Sequence, residues 1–308
     1  MKKISLVIPV YQNEKDVTRT FNEIKALFSN ELKAYEFECW FINDGSTDGS
    51  LLEIKDLHAQ FPSVFKYLSF SRNFGQIAAI AAGLKETKGD ACIIMSADLQ
   101  DPPSLIVNMV EKWESGKQVV ICTRTDREDD WFAKITSKFF YGLMKMANPK
   151  MPAGGFDFIF LDRVAVNELN LIDERNRFIQ GDILWLGYDV EYIPYKRNKR
   201  LQGKSQWTLS KKTKYFIDGL LNTSYLPIRF CSLAGVVFAF LGFLYSILVF
   251  YDRMVNNQNP KGWAPIMIVL LILGGLILFM LGIIGEYLWR TYDEARGRKT
   301  FIIRERGD

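Results

Sequence analysis

The sequence predicts an α/β domain, a mostly parallel sheet flanked by helices, followed by a two-helix membrane hairpin. Three observations predict it. Short β-rich apolar runs alternate with helix-period segments as far as Cys122. Polar, glycine-bearing loops follow those runs. Two long uncharged apolar runs close the 308-residue chain.

The elements follow in order. Ile4 to Pro9 is a strand ending at a proline, and Asp16 to Phe28 a helix with Val17, Phe21, Ile24, Leu27 and Phe28 on one side. Phe37 to Ile42 is the second strand; the turn-rich Asn43-Asp44-Gly45-Ser46-Thr47-Asp48-Gly49 follows, then a helix through Leu51, Leu52, Ile54 and Leu57. Phe65 to Phe70 is the third strand, Ile77 to Leu84 a small-residue helix and Ala91 to Met95 the fourth strand. A helix over Ser104 to Trp113 and a strand over Val119 to Cys122 complete this half. An aromatic helix (Trp131 to Ala147), a strand (Phe156 to Leu161) and a helix (Phe178 to Leu186) come next. In a parallel sheet, ligands bind beyond the carboxyl ends of the strands, where these polar loops fall.

Phe230 to Tyr251 and Trp263 to Gly285 carry no charge. At roughly 1.5 Å per residue each spans a hydrocarbon core of about 30 Å. Lys196 to Lys214 holds eight basic residues and no acidic one, and Arg290, Arg296, Arg298 and Lys299 follow the second run. By the positive-inside rule both flanks are cytoplasmic and the connector Asp252 to Gly262 lies outside. Trp263, Tyr287 and Trp289 suit the interfaces. The boundaries expected are a cytoplasmic catalytic domain at 1–195, a basic and amphipathic juxtamembrane segment at 196–228, two transmembrane helices at 229–290 and a cytoplasmic tail at 291–308. The apolar stretch after Met1-Lys2-Lys3 is too short for a signal-peptide core. The tail's Phe301-Ile302-Ile303 has strand character and pairs either with a neighbouring subunit or with its own domain.

Composition excludes several chemistries. Cys39, Cys92, Cys122 and Cys231 lack C-x-x-C spacing and read as buried reduced thiols. The single histidine, His58, reads as a solvated helix residue, so neither a His metal site nor a Ser-His-Asp triad is expected. G-x-G-x-x-G is absent after the first strand, which disfavours a dinucleotide-binding enzyme. The net charge is +4, and the basic stretch abuts an apolar run with no nucleic-acid motif, so a nucleic-acid partner is excluded.

Three loops carry candidate chemistry. Asp98, Gln100 and Asp101 follow the fourth strand, where a carboxylate can hold a hard divalent cation and Asp101 before Pro102 can cap a helix. Asp44 and Ser46 follow the second strand and either hold a base or ribose or form an ordinary turn. Arg72 suits a phosphate, and Gly75 permits a tight approach.

In order along the chain stand Val7-Ile8-Pro9-Val10-Tyr11, Asn43 to Asp48, Ser71-Arg72-Asn73-Phe74-Gly75 and Ala97-Asp98-Leu99-Gln100-Asp101-Pro102-Pro103. Further along are Arg124-Thr125-Asp126-Arg127, Lys134, Ser137 to Tyr141, Arg177-Phe178, Gly181, Trp185-Leu186-Gly187 and Arg200-x-x-Gly203-x-Ser205. This ordered set resembles the family 2 glycosyltransferases of the GT-A fold. More narrowly, it resembles the polyisoprenyl-phosphate members, the bacterial prophage-type undecaprenyl-phosphate glucosyltransferases and the dolichyl-phosphate mannose synthases. The resemblance covers nearly the whole chain, hairpin included. It implies transfer of a sugar, with inversion, from a nucleotide diphosphate donor (a UDP-sugar, glucose first) to undecaprenyl phosphate. It implies that Pro9, Tyr11, Glu14, Asp44, Ser46, Arg72 and Gly75 hold the nucleotide sugar and that Asp98 and Gln100 hold Mg²⁺ or Mn²⁺. Arg124, Lys134, Ser137, Arg200 and Ser205 would hold the acceptor phosphate, with Asp98, Arg124, Ser137 and Arg200 as the catalytic set. Implied with these are membrane lipids, a separate flippase, a homo-oligomer and an integral protein of the bacterial inner membrane with a cytoplasmic catalytic domain.

Three residues depart from the pattern: Ser96 and Asn43 where many relatives have Asp, and Gln12 where Asn is common. Two rival readings are a processive polysaccharide synthase and a non-catalytic membrane subunit. The first lacks its Q-x-x-R-W motif, because Trp207 directly follows Gln206; the second rests on Ser96 alone.

Overall fold

The structure, a computed structural model, describes residues 1–125, 142, 144–145, 148–152, 155–198, 217–221, 226–256 and 262–308. The chain divides into two compact units, Met1–Asn222 with Lys299–Asp308, and Thr223–Arg298.

The first unit is built on an eight-stranded sheet in the order β7-β5-β6-β4-β1-β2-β3-β8. Its strands are β1 (Lys2–Val10), β2 (Tyr35–Asn43), β3 (Phe65–Phe70), β4 (Ala91–Ile94), β5 (Val119–Arg124), β6 (Phe158–Asp162), β7 (Val190–Tyr195) and β8 (Ile303–Gly307). The β4-β1-β2-β3 pairings are parallel, as is β5 with β7; β6 runs antiparallel between β4 and β5, and β8 antiparallel on β3.

Alternation along the strands explains the layers. In β1, Ile4, Leu6, Ile8 and Val10 pack with α1 (Asp16–Asn30), α2 (Ser50–Gln60) and α4 (Leu105–Glu114). Val7 points to the opposite face, where it meets α3 (Gln76–Glu86); α5 (Arg163–Leu171) and α6 (Ile179–Trp185) belong to the same apolar cluster. Both faces are covered, so the strands read as apolar runs rather than as half-polar ones.

Two elements escaped the sequence reading. Strand β7 is an edge strand whose alternation is broken by Glu191 and by Pro194, a residue tolerated at an edge. Helix α5 starts at Asp162, whose carboxylate accepts the Val164 N–H at 2.9 Å and the Trp113 Nε1–H at 2.7 Å. The aromatic helix expected over Trp131 to Ala147 lies outside the described residues, except that Gly142, Met144 and Lys145 are helical.

Of the two readings open for the tail, the structure shows the second: it packs on its own domain, where β8 completes the sheet beside β3. Two expectations are corrected. His58 is not merely solvated, because its Nδ1 bonds the Phe65 carbonyl at 2.7 Å and its ring meets Tyr67 edge-on beneath that tail. Asp101 does not cap α4, which starts after Ser104; its carboxylate is engaged elsewhere. All four cysteines are free, and three are buried; Cys231 is half-buried.

At the sheet edge formed by the amino ends of the parallel strands, Glu38 is wholly buried. It accepts from Ser5 Oγ (2.7 Å), the Lys88 N–H (3.0 Å), Lys3 Nζ (2.8 Å) and Lys66 Nζ (3.3 Å). Burial alone would raise its carboxyl, but these donors, Lys3 foremost, outweigh burial and hold it down at about 2. The folded value lies below the ordinary 4.5, so this stabilisation is fully present above pH 4.5 and is lost as the pH falls towards 2. It amounts to roughly 3 kcal/mol. Urea midpoints measured across that window are expected to fall with acid, and Glu38→Gln to flatten the fall.

The second unit contains α7 (Leu226–Asn256) and α8 (Trp263–Ala295). Within them Pro227–Tyr251 and Ile268–Ala295 are long and apolar enough to cross a membrane, with mean hydropathy 2.5 and 2.9, and neither apolar window is buried within the protein. Ile268, at 57 % exposure, is typical. So much exposed apolar surface calls for an apolar solvent or partner.

Candidate active site

All the sequence-predicted site residues that the structure describes lie at one edge of the sheet. Parallel pairing brings the carboxyl ends of β1 to β4 to that edge, and β5 and β7 end there too because β6 reverses twice the direction between them and β4. Asp157, just before β6, therefore comes beside Arg124 at the end of β5.

The first three loops are laced together. Asp44 follows β2 and is almost fully buried. One oxygen of its carboxylate accepts the Phe74 N–H (2.6 Å) and the other the Gly75 N–H (2.9 Å). It thereby holds the loop after β3 and places negative charge at the amino end of α3. Gly45 makes the approach possible. Its φ is +65°, and a Cβ there would stand 2.4 Å from the Arg72 carbonyl carbon. Gly75 has a φ of +100°, a region that side chains other than glycine's rarely adopt.

Ser46 Oγ accepts the Gln12 N–H at 3.1 Å, and Gln12 Nε2 donates to Thr47 Oγ1 at 2.8 Å. Glu14 accepts the Gly49 N–H at 3.4 Å, and Ser50 Oγ accepts the Asn13 N–H at 2.9 Å. Asn43, where many relatives have Asp, donates to Ser69 Oγ at 2.9 Å and accepts the Ser46 N–H at 3.2 Å. Pro9 and Tyr11 are half-buried at the start of this network. Arg72 is exposed; its guanidinium lies 4.0 Å from the centre of the Phe74 ring. Asp44 and Ser46 thus have structural work of their own as loop anchors.

The fourth loop is strained. Leu99 is buried at a φ of +52°, and Gln12 and Lys15 are also left-handed, at +57° and +72°. Such non-glycine outliers gather where surrounding structure enforces a particular geometry. Asp98, 7 % exposed, accepts Ser96 Oγ–H at 3.0 Å and the Gln100 N–H at 3.3 Å. Ser96 Oγ is also 2.9 Å from Asp101, so one hydroxyl proton serves two carboxylates in turn. Asp101, wholly buried, accepts from the Tyr195 hydroxyl and pairs with Arg197 at 3.3 Å. Gln100 and Asn198 bind each other through the Gln100 carbonyl (2.9 Å) and the Gln100 side-chain amide (3.4 Å).

Arg124 closes the arrangement. It pairs with Asp157 at 2.5 Å, and Gln180 Nε2 donates to Asp157 at 3.4 Å. Burial alone would lower Arg124, but the charges of Asp157 and Asp101 outweigh it and hold the guanidinium above its ordinary value. Burial, reinforced by Asp101, pushes the Tyr195 hydroxyl up, so it stays protonated. The Arg124 Nε–H is buried without a partner among the described residues. A permanently charged fork with an unused donor suits a planar or tetrahedral anion.

Lys134, Ser137, Arg200 and Ser205 lie outside the described residues. Arg177 is inside them and pins the start of α6, through Asp182 at 2.8 Å and the Leu169 carbonyl at 3.3 Å. Sequence reasoning missed Asp157, Gln180 and Tyr195. The only usable signal was Tyr195 closing an apolar alternation, and that strand was itself unrecognised.

Residues 5–169 match the model of glycosyl transferase family 2, and residues 226–290 match the GtrB C-terminal hairpin. A bactoprenol glucosyl transferase of Shigella phage SfX is 36 % identical over 99 % of both chains. The prophage bactoprenol glucosyl transferase homolog of Escherichia coli is 35 % identical over 98 % of both. The uncharacterized glycosyltransferase YkcC of Bacillus subtilis is 36 % identical over 98 % of this chain and 93 % of its own. The crystal structure of glucosyl-3-phosphoglycerate synthase from Mycobacterium tuberculosis, in complex with Mn²⁺, UDP and glucosyl-3-phosphoglycerate, covers 70 % of this chain and 76 % of its own. It superposes with a TM-score of 0.50 at 16 % identity, a likeness of fold.

Proposed function

Because this chain belongs to glycosyl transferase family 2 and carries the GtrB C-terminal hairpin, we propose that it transfers a sugar from a nucleotide diphosphate sugar to a polyisoprenyl phosphate. UDP-glucose is the first donor to try and undecaprenyl phosphate the acceptor, since full-length relatives are named bactoprenol glucosyl transferases. The observation that carries the reading is the juxtaposition of the Asp98–Asp101 loop with Arg124, joined through Tyr195. Such a site handles two phosphate-bearing substrates at once.

The acceptor phosphate is already anionic at neutral pH, so no general base is needed. Its oxygen attacks the anomeric carbon, the bond from that carbon to the donor diphosphate breaks, and the configuration inverts. Arg124 orients the acceptor phosphate, and the Asp44-anchored loop with Arg72 orients the donor. Asp98 and Gln100 offer hard oxygen donors, and no cluster of three or more His, Cys, Asp or Glu occurs among the described residues. That donor set fits Mg²⁺ or Mn²⁺, which take one or two protein oxygens and complete their shell with phosphate and water. When bound, the ion neutralises charge on the departing diphosphate. Lys134, Ser137, Arg200 and Ser205 belong to the same proposal as further acceptor ligands.

We place the first unit in the cytoplasm and α7 and α8 in the bacterial inner membrane, with the basic 196–214 stretch drawn to anionic headgroups. The lipid-linked product then requires a separate flippase to reach a surface glycan. The non-catalytic alternative rests on Ser96, which supplies a hydroxyl where many relatives supply a carboxylate.

Purified protein given undecaprenyl phosphate and a panel of nucleotide sugars, with Mg²⁺, Mn²⁺ or EDTA, tests the proposal. Metal-dependent transfer from one donor is expected. Folded protein that transfers from none would favour the non-catalytic reading.

A further inference from the structure

The tail after α8 reaches the donor-side loop. Strand β8 pairs with β3 in the register Tyr67↔Gly307, Leu68↔Arg306 and Ser69↔Glu305, then slips one residue so that Phe70 faces Ile303. Beyond the slip the Ser71 N–H donates to the Ile302 carbonyl at 3.0 Å. Ser71 is the residue before Arg72. The Phe301 ring stacks on Phe70, with centroids 5.1 Å apart and planes at 13°. Phe70 meets Phe74 edge-on at 5.7 Å, and the Arg72 guanidinium lies over the other contact of this series, the Phe74 ring. The Phe74 N–H is the one that Asp44 accepts. An unbroken series of contacts therefore runs from Phe301 through Phe70 and Phe74 to Arg72.

The tail is also fastened at its far end. Glu305 pairs with Lys55, and Arg306 pairs with Glu86 at 3.1 Å, on the helices that flank β3. These exposed pairs add little binding energy individually; the β8 ladder on β3 sets Phe301 against Phe70.

We propose that Phe301 is a positioning residue for the donor: it holds Phe70 and Phe74 so that Arg72 keeps the orientation in which it meets the donor diphosphate. The inference rests on the reading of the Arg72–Gly75 loop as donor-binding. Phe301 itself touches no substrate. Its effect passes through one side of the site, the side opposite to Arg124 in the strand order, so donor and acceptor constants separate.

The test uses the full chain in steady-state assays with donor and acceptor varied in turn, and compares Phe301→Ala, Phe301→Tyr and Arg72→Ala. Losing one stacked aromatic contact is expected to raise the donor KM about three- to tenfold. The kcat at saturating donor and the acceptor KM should stay within about twofold. Phe301→Tyr, which keeps the ring, should restore the wild-type donor KM. Should Phe301→Ala fail to fold, Phe301→Leu carries the same comparison. A donor KM unchanged by loss of the ring, while Arg72→Ala raises it, overturns the role of Phe301 and leaves the donor loop standing. A donor KM unchanged in Arg72→Ala as well overturns both. A uniform loss in kcat and both KM values marks Phe301 as merely structural and overturns the inference.

Discussion

Alanine in place of Asp98 is expected to lower the rate of sugar transfer about a thousandfold while the protein stays folded. The magnitude follows from removing a charged group that organises the leaving diphosphate, an effect of roughly 3–4 kcal/mol on the barrier. The modest structural cost follows from the hydrogen bonds. Ser96 Oγ, which donates to Asp98 at 3.0 Å, retains Asp101 at 2.9 Å as an acceptor. The Gln100 N–H, 3.3 Å from Asp98, loses that acceptor, at a cost of about 1 kcal/mol. Asp98→Asn keeps the shape and an acceptor oxygen but removes the charge, so it should resemble the alanine variant in rate and the wild type in thermal unfolding. Transfer by Asp98→Ala within about tenfold of wild type would show that Asp98 does not hold the metal.

Arg124→Ala should act on the other substrate. We expect kcat/KM for the lipid phosphate to fall about a hundredfold, with the donor KM little changed. The stability loss should be small, about 1 kcal/mol, because Asp157 is 42 % exposed and water can replace the ion pair. Asp101 keeps Ser96, Tyr195 and Arg197, so it is not left without a partner. Arg124→Lys preserves the charge but not the fork, and should recover stability more fully than acceptor affinity. Varying each substrate in turn decides the matter: a change confined to the donor KM would place Arg124 on the wrong side of the reaction.

Much of this site was legible from the chain alone, for a specific reason. In a parallel sheet each loop that leads from a strand into a helix opens on the same edge, so ordering the strands at Ile4, Phe37, Phe65 and Ala91 already gathered Tyr11, Asp44, Arg72 and Asp98. The roles within that gathering were less legible. Asp44 and Ser46 carry turn chemistry in sequence, and in the structure both do anchor loops; Asp44 does so by binding backbone 30 and 31 residues away. Asp101 read as a helix cap from its place before Pro102, yet Tyr195 and Arg197 claim its carboxylate.

Sequence by itself therefore determined the α/β class, the edge on which chemistry gathers, and two helices long and apolar enough to cross a membrane. Those properties are local or nearly so: periodicity, hydropathy and the order of strands. The tertiary structure alone decided that Asp157 faces Arg124 across 33 positions, that Tyr195 reaches Asp101 across 94, and that the tail completes the sheet beside β3. Each of those residues is ordinary in its own neighbourhood. Only the reversal at β6, the unforeseen β7 and the return of the chain after α8 bring them together, and no local pattern encodes a contact that two distant segments must share.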